Sequence, residues 1–136
     1  MKRFAAAVAI AFASVIPGVN AAQTAMAASL HVAVDGISPA GGNLIVAIYD
    51  EATFPLAPDM PLFSRTIANA RGTATAVFDR LPPGTYAVRV LEDVNHNGRA
   101  DKGERSVLSN AAAAGDFDAA SIVLHPGENS LAIHLH

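Results

Sequence analysis

One run of residues limits the folds open to this chain more than any other. It reads Asp93-Val94-Asn95-His96-Asn97-Gly98-Arg99-Ala100-Asp101-Lys102-Gly103-Glu104. Every fixed position of the pattern D-x-[DN]-x-[DN]-G-x5-E is satisfied. That spacing turns oxygen-bearing side chains at the first, third and fifth places toward one hard cation. The carbonyl of Arg99, at the seventh place, adds another oxygen. Asp101 at the ninth reaches the ion directly or through water, and Glu104 at the twelfth closes the shell with both carboxylate oxygens. Gly98 falls where the chain must turn sharply with a positive φ. The metal ligands expected from spacing alone are therefore Asp93, Asn95, Asn97, Arg99, Asp101 and Glu104, and the expected ion is Ca2+. The same residue types also suit a polar Asx-turn hairpin loop without metal, because Asp, Asn and Gly favour turns on their own.

The flanks decide which scaffold carries the loop. A helix–loop–helix calcium site needs a helix running into the first Asp. Here Leu81-Pro82-Pro83-Gly84 is a turn signal, and Thr85-Tyr86-Ala87-Val88-Arg89-Val90-Leu91 reads as a strand. The expectation is a calcium-type loop at 93–104 set into a β-domain. The remaining pattern agrees. Leu30, Val32 and Val34 alternate with His31, Ala33 and Asp35, a half-buried strand. Residues 36–42 read as a loop. Residues 43–49 are apolar on both faces and suit a central strand. Residues 50–61 form a long loop with Pro55, Pro58 and Pro61, either a binding loop or a stiffened connection with Phe54 tucked against the core.

Residues 62–68 and 73–78 form the next strand pair, with a turn near 69–72. Val107 and Leu108 start a short strand, and 111–114 has helix propensity but is too short to stand alone. Residues 121–124 and 130–135 alternate again around a turn at Pro126-Gly127. No amphipathic helix is present. The expected class is all-β, an antiparallel sandwich of about seven strands with an Ig-like Greek key.

The N-terminus has the features of a leader. Lys2 and Arg3 precede an apolar run over 4–16, and Val19-Asn20-Ala21 and Ala25-Met26-Ala27 both offer small-x-small cleavage signals. The run is too short to span a bilayer comfortably. A secretory signal peptide over 1–27, a domain over 28–136 and a periplasmic or secreted location are expected. An uncleaved anchor is the alternative. Cleavage after Ala27 takes 27 of the 136 residues and leaves 109. Of nine Lys and Arg, two lie in the leader, so seven remain against 12 acids, a net charge of −5. That argues against nucleic acid and against anionic membrane surfaces. Without cysteine, there are no disulfides, no thiol catalysis and no lipid attached through cysteine. A monomer with an unknown protein or glycan partner, and no stable membrane anchor after cleavage, is the resulting expectation.

Several of these segments together resemble a known family. They are Gly-x-Leu-x-Val-Ala-Ile-Tyr-Asp at 42–50, Phe54, Leu-Pro-x-Gly-x-Tyr-Ala at 81–87, Asp-x-Asn-x-Asn-Gly from Asp93 with Asp101, and Ser109-Asn110. The family comprises small exported bacterial proteins known only as a domain of unknown function. The resemblance implies a transthyretin-like, or prealbumin-like, β-sandwich and no established activity. Members usually carry a longer Gly/Pro/Glu-rich insert before the Ser-Asn pair; here only 103–108 remains.

Other chemistries have less support. His134 and His136 share one face of the last strand while Leu131, Ile133 and Leu135 take the other. His31 also faces outward. Three imidazoles would gather around zinc or copper if these strands met; otherwise they are solvated surface rings. The opening Leu30-His31-Val32-Ala33-Val34-Asp35 faintly resembles the first strand of transthyretin-related hydroxyisourate hydrolases. Their closing Tyr-Arg-Gly-Ser is absent, so no catalytic residue is transferred. No nucleophile elbow and no glycine-rich phosphate loop appears. Past the leader there is no Trp, and only two Tyr and four Phe remain for a sugar platform. The expectation is a non-enzymatic, calcium-stabilised domain. The alternatives are a small hydrolase using surface histidines and an interaction or carbohydrate-binding module.

Overall fold

The computed structural model describes residues 27–54, 60–98, 101 and 103–136. Most of the segment expected to be a leader, 1–26, lies outside them. Among the described residues there are six strands: β1 (Ala28–Tyr49), β2 (Phe63–Leu81), β3 (Gly84–Asp93), β4 (Ser106–Leu108), β5 (Ile122–Leu124) and β6 (Gly127–His134). Among the same residues, one helical turn, α1 (Phe117–Ala120), and a 3₁₀ turn at Ser109–Ala111 accompany the strands. No described helix is long and apolar enough to cross a membrane.

The strand count falls below the expected seven or so for a definite reason. The loop expected at 36–42 and the turn expected at 69–72 both lie inside strands. β1 stays paired with β2 from Ala28↔Leu81 to Ile48↔Phe63. Between Ile37↔Gly72 and Gly42↔Ala70 it advances five residues while β2 advances two. The surplus is taken up as a bulge, flanked by smaller register shifts at Val34/Ile37 and Gly42/Leu44, and pairing continues on either side.

The pairing changes across that bulge. Before it, β1 runs parallel to β6, from Ala28↔Gly127 to Asp35↔His134. After it, β1 runs antiparallel to β3, from Asn43↔Asp93 to Tyr49↔Ala87. β4 pairs with the far part of β3 and β5 with its start. The sheet is thus mostly antiparallel, ordered β2-β1-β3-β4 with β6 joined to β1.

One apolar cluster draws on both halves of β1: Leu30, Val32 and Val34 from the first, and Leu44, Val46 and Ile48 from the second. Phe78, Val88 and Val90 join them, all essentially excluded from solvent. Each such side chain contributes about 1.5–3 kcal/mol by leaving water. Ala47 and Tyr49 point the other way, into a smaller cluster with Phe54, Ala87 and Ala120. The run at 43–49 is apolar on both faces because both faces are covered.

The cover over this second face is the excursion at 109–121. Its hinge is Ser109, fully buried, whose Oγ accepts from the Val88 N–H at 3.0 Å and donates to the Ala120 carbonyl at 2.5 Å. Asn110, at φ 57°, donates from Nδ2 to the carbonyls of Ala119 and Ser121. Asp116 caps α1 by accepting from the Ala119 N–H. The Ser-Asn pair noted in the sequence is a clasp that closes this excursion on itself.

Candidate functional site

β3 delivers the first loop residue. Asp93 is its last residue and only 1% exposed, and Glu92 beside it is 3% exposed. A buried carboxylate needs full compensation, and Glu92 has it. Its Oε1 accepts from Nε and Nη2 of Arg105 at 3.0 and 2.9 Å, and its Oε2 accepts from the Ser38 N–H at 2.7 Å. Arg105 Nη2 also donates to the Gly36 carbonyl. The Glu92 N–H donates to the Arg105 carbonyl at 2.9 Å. Glu92 and Arg105 are the residues immediately outside the twelve-residue loop. They close its neck and moor it to the β1 bulge. Gly42 permits the close approach, because a Cβ there would meet the Asp93 carbonyl at 2.8 Å.

Within the loop, carboxylates organise backbone amides. Asp93 accepts from the N–H groups of Asn97 (3.2 Å) and Gly98 (2.8 Å). Gly98 has φ 76°, the left-handed turn that the motif requires. Glu104 reaches back across the loop. Its Oε2 accepts from Val94 and Asn95, and its Oε1 accepts from Asp101. Asn95 Oδ1 accepts from the Asn97 N–H, and Nδ2 of both Asn95 and Asn97 donates to Asp101 Oδ2. Five of the six expected ligands, Asp93, Asn95, Asn97, Asp101 and Glu104, are therefore linked in one network. Arg99 lies outside the described residues.

This network is all oxygen and amide, the donor chemistry of a hard cation. Each carboxylate oxygen that accepts one N–H keeps a second lone pair. Among the described residues, no three His, Asp or Glu side chains gather around a common metal position. Both asparagine amides present Nδ2 to Asp101, where a cation would favour Oδ1.

The histidines separate. His31 pairs with Ser130 and His134 with Asp35, four positions further along the ladder. His134 Nδ1 lies 2.6 Å from Asp35 Oδ1, and its ring stacks on His136 at 6.1 Å between centroids. Asp35 is the acid beside His134 that sequence reasoning did not find.

The long loop begins with a tight clasp. Asp50 Oδ1 accepts from the Thr53 N–H and hydroxyl, and Thr53 Oγ1 accepts from the Asp50 N–H. The Thr53 amide, foremost, holds the Asp50 carboxyl below its ordinary range. Phe54 then packs edge-on against Tyr49 and Phe117, tucked in as expected. Residues 55–59 of this loop lie outside the described residues. Tyr86 is buried and donates to the Pro82 carbonyl; burial, helped by the Asp50 charge, raises its pKa.

No curated protein and no solved structure matches the chain. A family profile described as "Uncharacterized protein conserved in bacteria (DUF2141)" matches residues 32–132. That span runs from β1 into β6 and includes the loop, its neck and the Ser-Asn clasp, so the chain belongs to this bacterial family of unknown function.

Proposed function

We propose that this is an exported, non-enzymatic β-sandwich domain, periplasmic or secreted, whose 93–104 loop holds a calcium ion that stabilises the fold. One observation carries the reading. Asp93, Asn95, Asn97, Asp101 and Glu104 already share a single hydrogen-bonded network above a neck closed by Glu92 and Arg105. The described side chains that would hold the ion are already gathered, so less of their ordering remains to be supplied on binding. Half-turns of the Asn95 and Asn97 amides would exchange Nδ2 for Oδ1 and convert a network closed on Asp101 into an oxygen-lined one. The leader argues for export, and the lack of cysteine leaves the core and this loop to supply the stability.

We also infer a two-layer, transthyretin-like closure of the sheet. The core shared by both halves of β1 supports it, as does the parallel pairing of the first strand with the last. The Tyr86 hydroxyl bonded to the carbonyl four residues upstream resembles the tyrosine corner of Greek-key sandwiches.

Thermal melting of the purified protein with and without calcium tests the metal reading. Extracellular calcium modules bind with Kd on the order of 10⁻⁴–10⁻³ M, so 10 mM calcium should add about 1.4–2.7 kcal/mol. Magnesium should add much less, because it demands tighter octahedral geometry. Asp93→Ala and Asp101→Asn should each abolish the calcium increment. A melting temperature indifferent to calcium removes the proposal.

A further inference from the structure

A cleft on the outer face of β3 plays no part in the calcium reading. It encloses about 560 Å³ between Phe54, β4 and residues 111–115. Sites for small molecules fall at about 300–1,000 Å³. Phe54, Val107, Leu108 and Ala112 make its walls largely apolar, and Arg89 and Ser106 line it too. Arg89 Nε donates to Ser106 Oγ at 2.8 Å, across the β3–β4 ladder in which Arg89 pairs with Leu108. That bond fixes the guanidinium at the wall.

Arg105 has its carboxylate partner in Glu92, but Arg89 has none among the described residues. Its Nη groups likewise make no hydrogen bond to a described residue. A guanidinium held at an apolar wall without an acid has the geometry to take a planar carboxylate, which its fork binds bidentately. The polar side chains on the lining are the Arg89 guanidinium, the Ser106 hydroxyl and the His136 ring, and of these the planar fork is the one that meets a carboxylate with two parallel bonds. The chain's net charge of −3 gives an incoming anion no long-range steering. Affinity must therefore come locally, from the guanidinium and from burial of an apolar tail.

We propose that this cleft binds an apolar monocarboxylate, with its head group on Arg89 and its tail along Phe54, Leu108 and Ala112. Calorimetric titration of the purified protein with octanoate, and with octanol as its uncharged counterpart, tests this. Octanoate should bind saturably at one site. Arg89→Met, and the hydrogen-bonding variant Arg89→Gln, should each weaken octanoate about tenfold or more and leave octanol within about twofold. Ala112→Trp, which fills the cleft, should remove binding of both, and melting temperatures identify the variants that keep the fold. Octanoate that fails to saturate below about 5 mM overturns the proposal, given that such weak binding needs no built site. So does octanoate binding indifferent to both Arg89 variants, or binding of either probe that survives Ala112→Trp. None of these outcomes depends on calcium, so this proposal and the metal reading fail separately.

Discussion

Two long connections follow β3, and they are held in opposite ways. The described residues of the first, from Asp93 to Arg105, are held by side-chain oxygens. The carboxylates of Asp93 and Glu104 gather backbone amides, and Glu92 with Arg105 closes the base. Its residues 94–98 are exposed and bury no apolar side chain. The second, from Ser109 to Ser121, is ordered by packing. Ala120 is fully buried, Phe117 meets Phe54, and the clasp of Ser109 and Asn110 satisfies the backbone beneath. A segment held by anionic oxygens is open to reinforcement by a cation. A segment held by buried apolar surface does not depend on one for its order.

The largest effect should come from the neck. Glu92→Ala would leave Arg105 facing the Gly36 carbonyl alone and strand the Ser38 amide. Removing one partner of a buried pair costs about 3–5 kcal/mol, and the partial exposure of Arg105 places the loss nearer about 2–3. Urea unfolding would measure it. The comparison sharpens if calcium recovers none of this loss, because the neck supports the ion only while it is closed. It breaks if Glu92→Ala unfolds at the wild-type urea midpoint.

Ser109→Ala probes the other connection. It removes the acceptor for the buried Val88 N–H and the donor to the Ala120 carbonyl. Leaving a buried polar group unsatisfied costs about 1–3 kcal/mol. The loss should be equal in calcium and in chelator, since the excursion is independent of the ion. A loss that grows when calcium is removed would mean that the two connections are coupled through β3, and the contrast drawn above would fail.

Much of this was legible in the residues themselves, and the misses share a cause. Alternation at Leu30, Val32 and Val34 marked the core face, and the two-faced run at 43–49 marked a covered strand. Both are local patterns, and both hold. The glycines at 36–42, and Asn69 with Gly72, read as loops because those residue types serve loops and bulges alike. Cross-strand pairing alone distinguishes the two, and it kept β1 and β2 continuous. The Asp35–His134 contact was hidden because it depends on parallel pairing between strands almost a hundred residues apart. At the site, the motif identified side chains that share one hydrogen-bonded network but stopped at its own ends. Glu92 and Arg105, opposite charges one step beyond each end, were the available signal for the neck. Arg89 had no such signal, because its lack of an acid among the described residues is a property of the folded surface.

Tyr86 gives the smallest effect and the cleanest pH signature. It pairs with Ile122 in β5, on the return of the excursion, so it belongs to the packed side of the comparison. Burial raises its pKa above the ordinary 10.0, so the folded protein holds the phenolic proton more tightly than the unfolded chain does. The sign follows from linkage. This contribution is fully present below about pH 10 and is lost as pH rises through the folded value. Tyr86→Phe deletes the bond to the Pro82 carbonyl and should cost about 1 kcal/mol at pH 7. The variant should also lose less stability than the parent between pH 9 and 11 (about one pH unit either side of that ordinary value), so the two denaturation midpoints should converge as pH rises. Parallel pH profiles would mean that the phenol ionises as freely in the fold as outside it. The packed side of the molecule would then lack the dry environment that sets it apart from the loop.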